Sequence, residues 1–302
     1  MHMIYVVTHE FPLSHFLFTG LEGVEAILIP VKQRSFFKRC LKYVARKMGF
    51  LIGTLDMSKV QINKIKNMKE NDALVYLGES PTACCALSKI CKKRVRKICF
   101  FWNPCVTVKK CEDCIKKIKK SGFSIATFDS DDAQRYDLLF ANQFYRKISA
   151  CDMMSSKIEK DFFFCGRNKG RKDVLQEMQR RLSTIGTCKF IIPEKEDAMP
   201  YPNYIEEVKK TRVLCDVNQK RQSGLTLRVL ESLFFSKKLI TNNISIENYD
   251  FYNPNNILIY TSLTTKDDVQ SFLMKPYEQV DESILARYEV TNVLKKIIRE
   301  VA

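Results

Sequence analysis

A glycine and several cations follow an apolar run in the stretch DFFFCGRNKGR, residues 161–171. Gly166 would let the backbone turn sharply or approach a ligand closely, because it carries no Cβ atom. Arg167, Lys169 and Arg171 crowd the loop after it, and such cations can neutralise the phosphates of a nucleoside diphosphate. The spacing therefore predicts a diphosphate site. The alternative is a glycine turn with solvated charges.

The stretch QSGLTLRVLESLFFSKKLITNN, residues 222–243, combines a helix start with two side chains of opposite charge. Gly224, Leu225 and Thr226 would present unpaired backbone N–H groups, which attract anions. Arg228 in the first turns could bind a phosphate through two hydrogen bonds. Glu231 lies three positions further on the same face, and a carboxylate suits the hydroxyls of a ribose. The alternative is a surface Arg–Glu pair, which contributes only ~0.3–0.5 kcal/mol.

Polar residues also follow other strand-like runs. Thr241 ends the run LIT and Asn242 follows it; both could orient polar ligand groups, although a turn uses the same residue types. His9 and Glu10 follow the first run, where a general base and a carboxylate that orients it would stand. Residues 78–81 (GESP) and 129–132 (DSDD) follow later runs in the same way.

Apolar runs alternate with helical patterns almost from end to end, which is typical of parallel sheets covered by helices. The predicted strands are 4–7, 26–30, 73–77, 97–102 and 124–128, then 161–165, 189–192, 212–216, 238–241 and 257–260. The predicted helices are 35–48, 81–91, 109–120, 172–182, 224–235 and 265–273. We infer an α/β protein of two doubly wound, Rossmann-like domains, 1–150 and 151–281, that face each other across a cleft. A C-terminal helix, 282–302, is expected to pack back on the first domain.

The composition is that of a globular protein with an anionic partner. The 302 residues are 45% hydrophobic and 28% charged, and the formal net charge is +16. No run reaches the ~18 apolar residues of a membrane span, and no signal peptide is visible, so we expect a cytoplasmic protein. Basic clusters at 38–47, 92–97, 109–120 and 169–181 could attract the anionic inner face of the plasma membrane. No nucleic-acid-binding motif is present.

The chain contains twelve cysteines, and their pattern does not predict a metal site. Cys111 and Cys114 form a C-x-x-C with Cys105 nearby, but a structural zinc site usually needs two such pairs. The histidines His2, His9 and His15 are far away in the sequence. We expect reduced thiols that behave as small apolar side chains.

The stretches 161–171 and 222–243, followed by NYDFYNPNNILIY, resemble bacterial glycosyltransferases of lipopolysaccharide, capsule and exopolysaccharide clusters. The resemblance covers about residues 161–260 and is weak before them. It implies the GT-B fold, with a nucleoside-diphosphate sugar bound to the C-terminal domain and a lipid-linked or polysaccharide acceptor on the N-terminal domain. Gly166, Arg167 and Lys169 would lie near the diphosphate.

The same resemblance implies that Gly224, Leu225 and Thr226 form the anion-binding helix start, and that Arg228 and Glu231 contact the donor. Many retaining members have a second glutamate eight positions before Glu231, where this chain has Ser223, so retention or inversion of the anomeric configuration stays open. No cofactor and no metal ion is expected, because such enzymes stabilise the leaving diphosphate with helix N-termini and cations. Two other functions remain open: a nucleotide-sugar epimerase of the same fold, and a non-catalytic basic adaptor for nucleic acid or anionic membrane.

Overall fold

The computed structural model describes residues 2–31, 56–149, 157–193, 199–219 and 222–301. The chain divides into two compact units: Met1–Asn142 with Val290–Ala302, and Gln143–Glu289. The sequence predicted a boundary at 150, but the second unit starts earlier. Tyr145 already pairs with Glu289 in an isolated bridge, and its amide donates to Tyr288 O at 2.8 Å. The helix predicted at 35–48 and the basic cluster at 38–47 lie outside the described residues.

The first unit contains a parallel sheet with the order β2-β1-β3-β4-β5-β6. The strands are β1 (Ile4–His9), β2 (Val24–Ile29), β3 (Ala73–Leu77), β4 (Arg96–Phe101), β5 (Ser124–Thr127) and β6 (Leu139–Phe140). All five residues of β3 are buried, as expected for a central parallel strand with both faces covered.

Helices follow the strands of this first sheet. They are α1 (Pro12–Phe18), α2 (Lys59–Lys66), α3 (Pro81–Ile90), α4 (Cys111–Lys120) and α5 (Ser130–Tyr136). Proline begins α1 and α3, where the missing N–H has no intrahelical partner to lose. Since α1 directly follows β1, it sets the walls of the space beyond the end of that strand.

The second unit contains a parallel sheet with the order β11-β10-β9-β7-β8. Its strands are β7 (Lys160–Cys165), β8 (Cys188–Ile191), β9 (Thr211–Asp216), β10 (Lys238–Thr241) and β11 (Ile257–Ile259). Its helices are α6 (Lys172–Leu182), α7 (Tyr201–Lys209), α8 (Leu227–Phe234), α9 (Lys266–Met274) and α10 (Glu282–Leu285). The strand order brings the carboxyl ends of β10, β9 and β7 together.

The C-terminal helix predicted from 282 is interrupted. After α10 a 3-10 turn covers Ala286–Tyr288, and α11 (Val290–Glu300) then belongs to the first unit. Tyr288 is buried and its hydroxyl donates to Asp250 Oδ1 at 2.6 Å, so this residue is held by the second unit. None of the helices in the described ranges is long and apolar enough to cross a bilayer.

Candidate active site

Asp216 is the centre of a polar cluster at the carboxyl ends of the strands in the second unit. It ends β9 next to Thr241 of β10, with which it is in register, and it is fully buried. Its Oδ1 accepts from Thr226 Oγ1 at 2.8 Å and from Arg228 Nε at 3.1 Å. Its Oδ2 accepts from Thr241 Oγ1 at 3.2 Å. One carboxylate thus fixes three of the side chains that the sequence singled out.

Arg228 lies against the strand ends, with its side chain 12% exposed. Besides its ion pair with Asp216, Nη1 donates to the backbone carbonyl of Cys165 at 2.9 Å. The guanidinium lies 4.6 Å from the ring centroid of Phe164. Its remaining amino group, Nη2, makes no hydrogen bond to any described residue, and is the part of Arg228 that could bind a phosphate.

Gly166 allows this approach. A Cβ atom at this position would lie 2.9 Å from Arg228 Nη1 and 3.3 Å from Arg171 Nη2. The backbone of the loop after β7 therefore passes directly beside two guanidinium groups. The predicted role of Gly166 as a site of close approach is consistent with this geometry, although here the close neighbours are side chains of the protein itself.

Arg171 turns inward beneath this loop. Nη1 donates to the carbonyl of Val217, and Nη2 donates to that of Arg167 at 3.2 Å. The buried Nε has no hydrogen-bond partner among the described residues. Burial, and then the charge of Arg228, lower the pKa of Arg171 to about 10. Arg171 thus adds positive charge beneath the loop and holds its backbone.

Arg167 and Lys169 lie on the surface of the same loop, and both side chains are exposed. Lys169 has a left-handed backbone with φ of 46°. Desolvation and then the charges of Arg171, Arg228 and Arg167 lower the pKa of its ammonium, even though the residue as a whole is exposed. These four cations repel one another, and an anion placed among them would relieve that repulsion.

The helix start predicted at Gly224 begins three residues later, since Thr226 is the extended N-cap residue and α8 starts at Leu227. The Thr226 hydroxyl donates to Asp216 and makes no capping hydrogen bond to the helix. Leu225 is a core residue with 1% exposure. The Gly224 carbonyl accepts from Gln222 Nε2 at 3.3 Å. No side chain therefore caps the first amides of α8 among the residues that the structure describes.

Asn242 lies beside this segment, directly after β10. Its Oδ1 accepts from the amide of Asn218 at 2.8 Å. The Asn218 side chain in turn donates to the Gln222 carbonyl at 3.1 Å, and its buried Oδ1 has no partner among the described residues. Asn242 thus orders the loop after β9. Its predicted ligand contact, like that of Thr241, stays a prediction.

Glu231 is buried inside the second unit, at 2% exposure. Its Oε1 accepts from Tyr201 Oη at 3.0 Å, and its Oε2 accepts from Tyr204 Oη. Tyr201 also bonds to the hydroxyl of Tyr145. Burial raises the pKa of Glu231 to about 7, against the opposing effects of Tyr204, Arg228 and Tyr201. In this arrangement tyrosine hydroxyls donate to both carboxylate oxygens of Glu231. The predicted donor contact of Glu231 stays a prediction.

In the first unit, the two predicted catalytic residues, His9 and Glu10, have different surroundings. Glu10 is paired with His15, whose Nε2 lies 3.1 Å from Glu10 Oε1, with both side chains about half exposed. His9, at the end of β1, lines a cavity of about 270 Å³ whose walls include Phe11, Trp102 and Glu79. The cavity lies beyond the carboxyl ends of β1, β3 and β4.

Glu79 is the carboxylate of this cavity, and it comes from the GESP segment after β3. Its Oε1 accepts from the amide and the side chain of Asn103, at 2.8 Å and 3.3 Å. Burial raises the pKa of Glu79, and the hydrogen bonds from Asn103 oppose that shift. A partly buried carboxyl with a raised pKa is the environment that suits a general base. Glu79, and not Glu10, therefore lines the same cavity as His9.

The other acidic and cysteine motifs have structural roles. Asp129 caps α5 by accepting from the amide of Asp132 at 3.2 Å, and Asp132 Oδ2 accepts from the amide of Cys105 at 2.6 Å. Cys111 and Cys114 are buried on α4. Within the described ranges, no three histidine, cysteine or acidic side chains form a possible metal site.

No protein-family model and no curated protein matches the sequence. Among solved structures, an α-glucosyltransferase in complex with UDP and a 13-mer DNA containing an HMU base is 11% identical, with a TM-score of 0.56. The match covers 99% of this chain and 98% of that one. HepE of Anabaena, in complex with UDP and glucose, is 8% identical with a TM-score of 0.52, over 100% and 99% of the two chains. At such identities the likeness establishes the fold. The chain has the GT-B fold.

Proposed function

We propose that this protein is a glycosyltransferase that uses a nucleoside-diphosphate sugar. The observation that carries the proposal is the group of four cations around Gly166: Arg167, Lys169, Arg171 and Arg228. They surround the carboxyl end of β7, where open parallel sheets bind ligands. The fold supports the same function, because both similar structures contain UDP.

In the proposed reaction, the bond between the anomeric carbon and the diphosphate oxygen breaks. A new bond forms from that carbon to an acceptor hydroxyl oxygen, and the hydroxyl proton passes to a base. Arg228 Nη2, Arg167 and Lys169 stabilise the charge on the leaving diphosphate, and the uncapped first amides of α8 assist them. His9, together with Glu79 rather than Glu10, is the candidate base of an inverting reaction. The chemistry requires no metal ion.

The acceptor we propose is a lipid-linked glycan or a lipopolysaccharide or capsular glycan. The net charge of +16 supports peripheral association with an anionic membrane surface, where such acceptors are found. A DNA acceptor is the second candidate, because the same charge suits nucleic acid and one of the similar structures contains DNA.

Release of nucleoside diphosphate from UDP-glucose, GDP-mannose and other common nucleotide sugars tests the proposal. We expect release that depends on an added acceptor, and loss of most of that activity in the double variant Arg167→Ala/Lys169→Ala. Lys92→Ala/Lys93→Ala, which removes two exposed charges from the first unit, should behave as the wild type.

Two other experimental outcomes would favour a different function. Turnover of a nucleotide sugar without any acceptor would favour the epimerase. Absence of nucleotide binding, together with binding to DNA or anionic vesicles that weakens steeply with salt, would favour a non-catalytic basic adaptor.

A further inference from the structure

We propose that the cavity of the first unit binds the apolar part of an uncharged acceptor, such as the alkyl chain of a neutral glycolipid. The inference rests on the proposed transferase function and specifies its acceptor. The cavity lies entirely within the first unit, beyond β1, β3 and β4, and its volume is about 270 Å³. Ligand sites usually measure roughly 300–1,000 Å³, so this cavity suits one short apolar segment and not a whole lipid.

Apolar side chains form most of the cavity wall. Leu17 and Phe18 from α1 form its floor with 1% exposure each, and Trp102 adds an aromatic face after β4. Phe11 lines the same cavity and is 52% exposed. A ligand that covered Phe11 would remove apolar area from water, which stabilises the complex.

The charge of the cavity disfavours a phosphate group at this position. The chain has 50 lysines and arginines, but none of them lines the cavity among the residues that the structure describes. The acidic side chain in the described wall is Glu79, whose carboxylate would repel a phosphate. An anionic acceptor group would therefore be accommodated poorly here, in contrast with the cationic loop of the second unit.

Glu79 also provides the polar contact that a hydroxyl group needs. The two hydrogen bonds from Asn103 both reach Oε1, and the backbone amides of Trp102 and Glu79 also act on this carboxyl. Because each carboxylate oxygen has two lone pairs, the group can still accept from a ligand hydroxyl. His9 lies in the same wall. The cavity thus pairs an apolar floor with hydroxyl-binding groups, as an alkyl glycoside requires.

Trp102 makes the proposal measurable, because it is the single tryptophan of the chain and lines the cavity. Its fluorescence is titrated with octyl glucoside, octyl phosphate and 5-hydroxymethyl-2′-deoxyuridine, each below its aggregation concentration and without nucleotide. We expect a saturable fluorescence change with octyl glucoside. Octyl phosphate should bind at least about tenfold more weakly. Glu79→Gln should reduce the difference between these two ligands.

Phe11→Ala should weaken octyl glucoside binding about tenfold, whereas Val106→Ala, at a similarly exposed position of the same unit outside the cavity, should not. Unchanged thermal unfolding of Phe11→Ala would show that the loss is local. The proposal is overturned if octyl glucoside gives no saturable change, if octyl phosphate binds equally well, or if only the nucleoside binds. Absence of UDP binding with an intact Trp102 response would remove the transferase function and keep the apolar site.

Discussion

Asp216 fixes the side chains at the proposed donor site while remaining out of contact with solvent. Thr226, Arg228 and Thr241 all donate to it, so the orientation of Arg228 is set before any ligand arrives. Preorganised cations of this kind need not reorganise when charge develops on a leaving diphosphate. Asp216 is a positioning residue, and its charge also offsets part of the repulsion among the cations.

The buried carboxyl of Glu231 should make the stability of the second unit depend on pH. Its pKa is about 7 in the folded protein and ~4.3 in an unfolded chain. Between these values only the folded state holds the proton, so stability falls as pH rises through this window and stays low above it. Glu231→Gln is neutral throughout. Its free energy of unfolding should therefore rise relative to wild type by about 3 kcal/mol between pH 4.5 and 7.5.

Urea unfolding followed by circular dichroism across this pH range measures the effect. Glu177→Gln, which changes an exposed carboxylate paired with Arg180, is the matched control and should follow the wild-type profile. A constant difference between Glu231→Gln and wild type at all pH values would show that the Glu231 pKa is not raised.

Sequence patterns identified the exposed cations of the site better than the residues that hold them. Gly166, Arg167 and Lys169 stand out because a glycine and charges follow an apolar run. Asp216 is harder to identify from the sequence, because it is a single acidic residue at the end of a buried strand. Its role depends on Thr226, Arg228 and Thr241, which come from two other segments of the chain. Glu10 and Glu79 could not be separated by sequence, because the partners His15 and Asn103 that distinguish them lie outside either motif.

The loop after β7 depends on a glycine for steric reasons. A Cβ atom at position 166 would meet Arg228 Nη1 at 2.9 Å, and Arg228 is held by Asp216 and Cys165. Gly166→Ala should therefore displace the guanidinium, destabilise the protein by about 1–3 kcal/mol and weaken UDP binding. Denaturation and UDP titration measure the two effects.

Gly20→Ala separates the two effects. Gly20 has a positive φ of 72° with open space around it, so alanine adds backbone strain of about 1–2 kcal/mol in the first unit without touching the loop. It should lower stability and leave UDP affinity unchanged. Equal UDP affinity in Gly166→Ala and Gly20→Ala would contradict the role of Gly166.

Strands were predicted more completely than helices. The ten predicted strands all correspond to strands of the structure, because buried parallel strands are continuous apolar runs. Four helices of seven to nine residues, α1, α2, α5 and α7, were not predicted. Helix α8 starts at Leu227 and not at Gly224, because the preceding backbone is held by Asn218.

The last residues, Val290–Ala302, belong to the first unit. Helix α11 buries Val293, Leu294 and Ile297, and Arg96 on β4 donates to the carbonyl of Ile298 at 3.1 Å. Leu294→Ala should destabilise the first unit by about 2–5 kcal/mol. Trp102 fluorescence reports this unit during denaturation, and the exposed neighbour Lys295→Ala should leave its midpoint unchanged.

An unchanged Trp102 midpoint in Leu294→Ala would show that α11 does not stabilise the first unit. The sequence indicated an amphipathic helix here but could not show where it is interrupted. That break depends on Tyr288, whose partner Asp250 lies 38 positions away in the chain.

Calorimetric titration of the protein with UDP tests whether the cationic loop of the second unit binds a nucleoside diphosphate. We expect saturable binding by the wild type and by Lys92→Ala/Lys93→Ala. Arg167→Ala/Lys169→Ala should bind at least about tenfold more weakly, because charge-assisted hydrogen bonds contribute ~1.5–3 kcal/mol each. Equal affinity in all three proteins, or no binding of UDP, GDP or ADP to any of them, would contradict the claim.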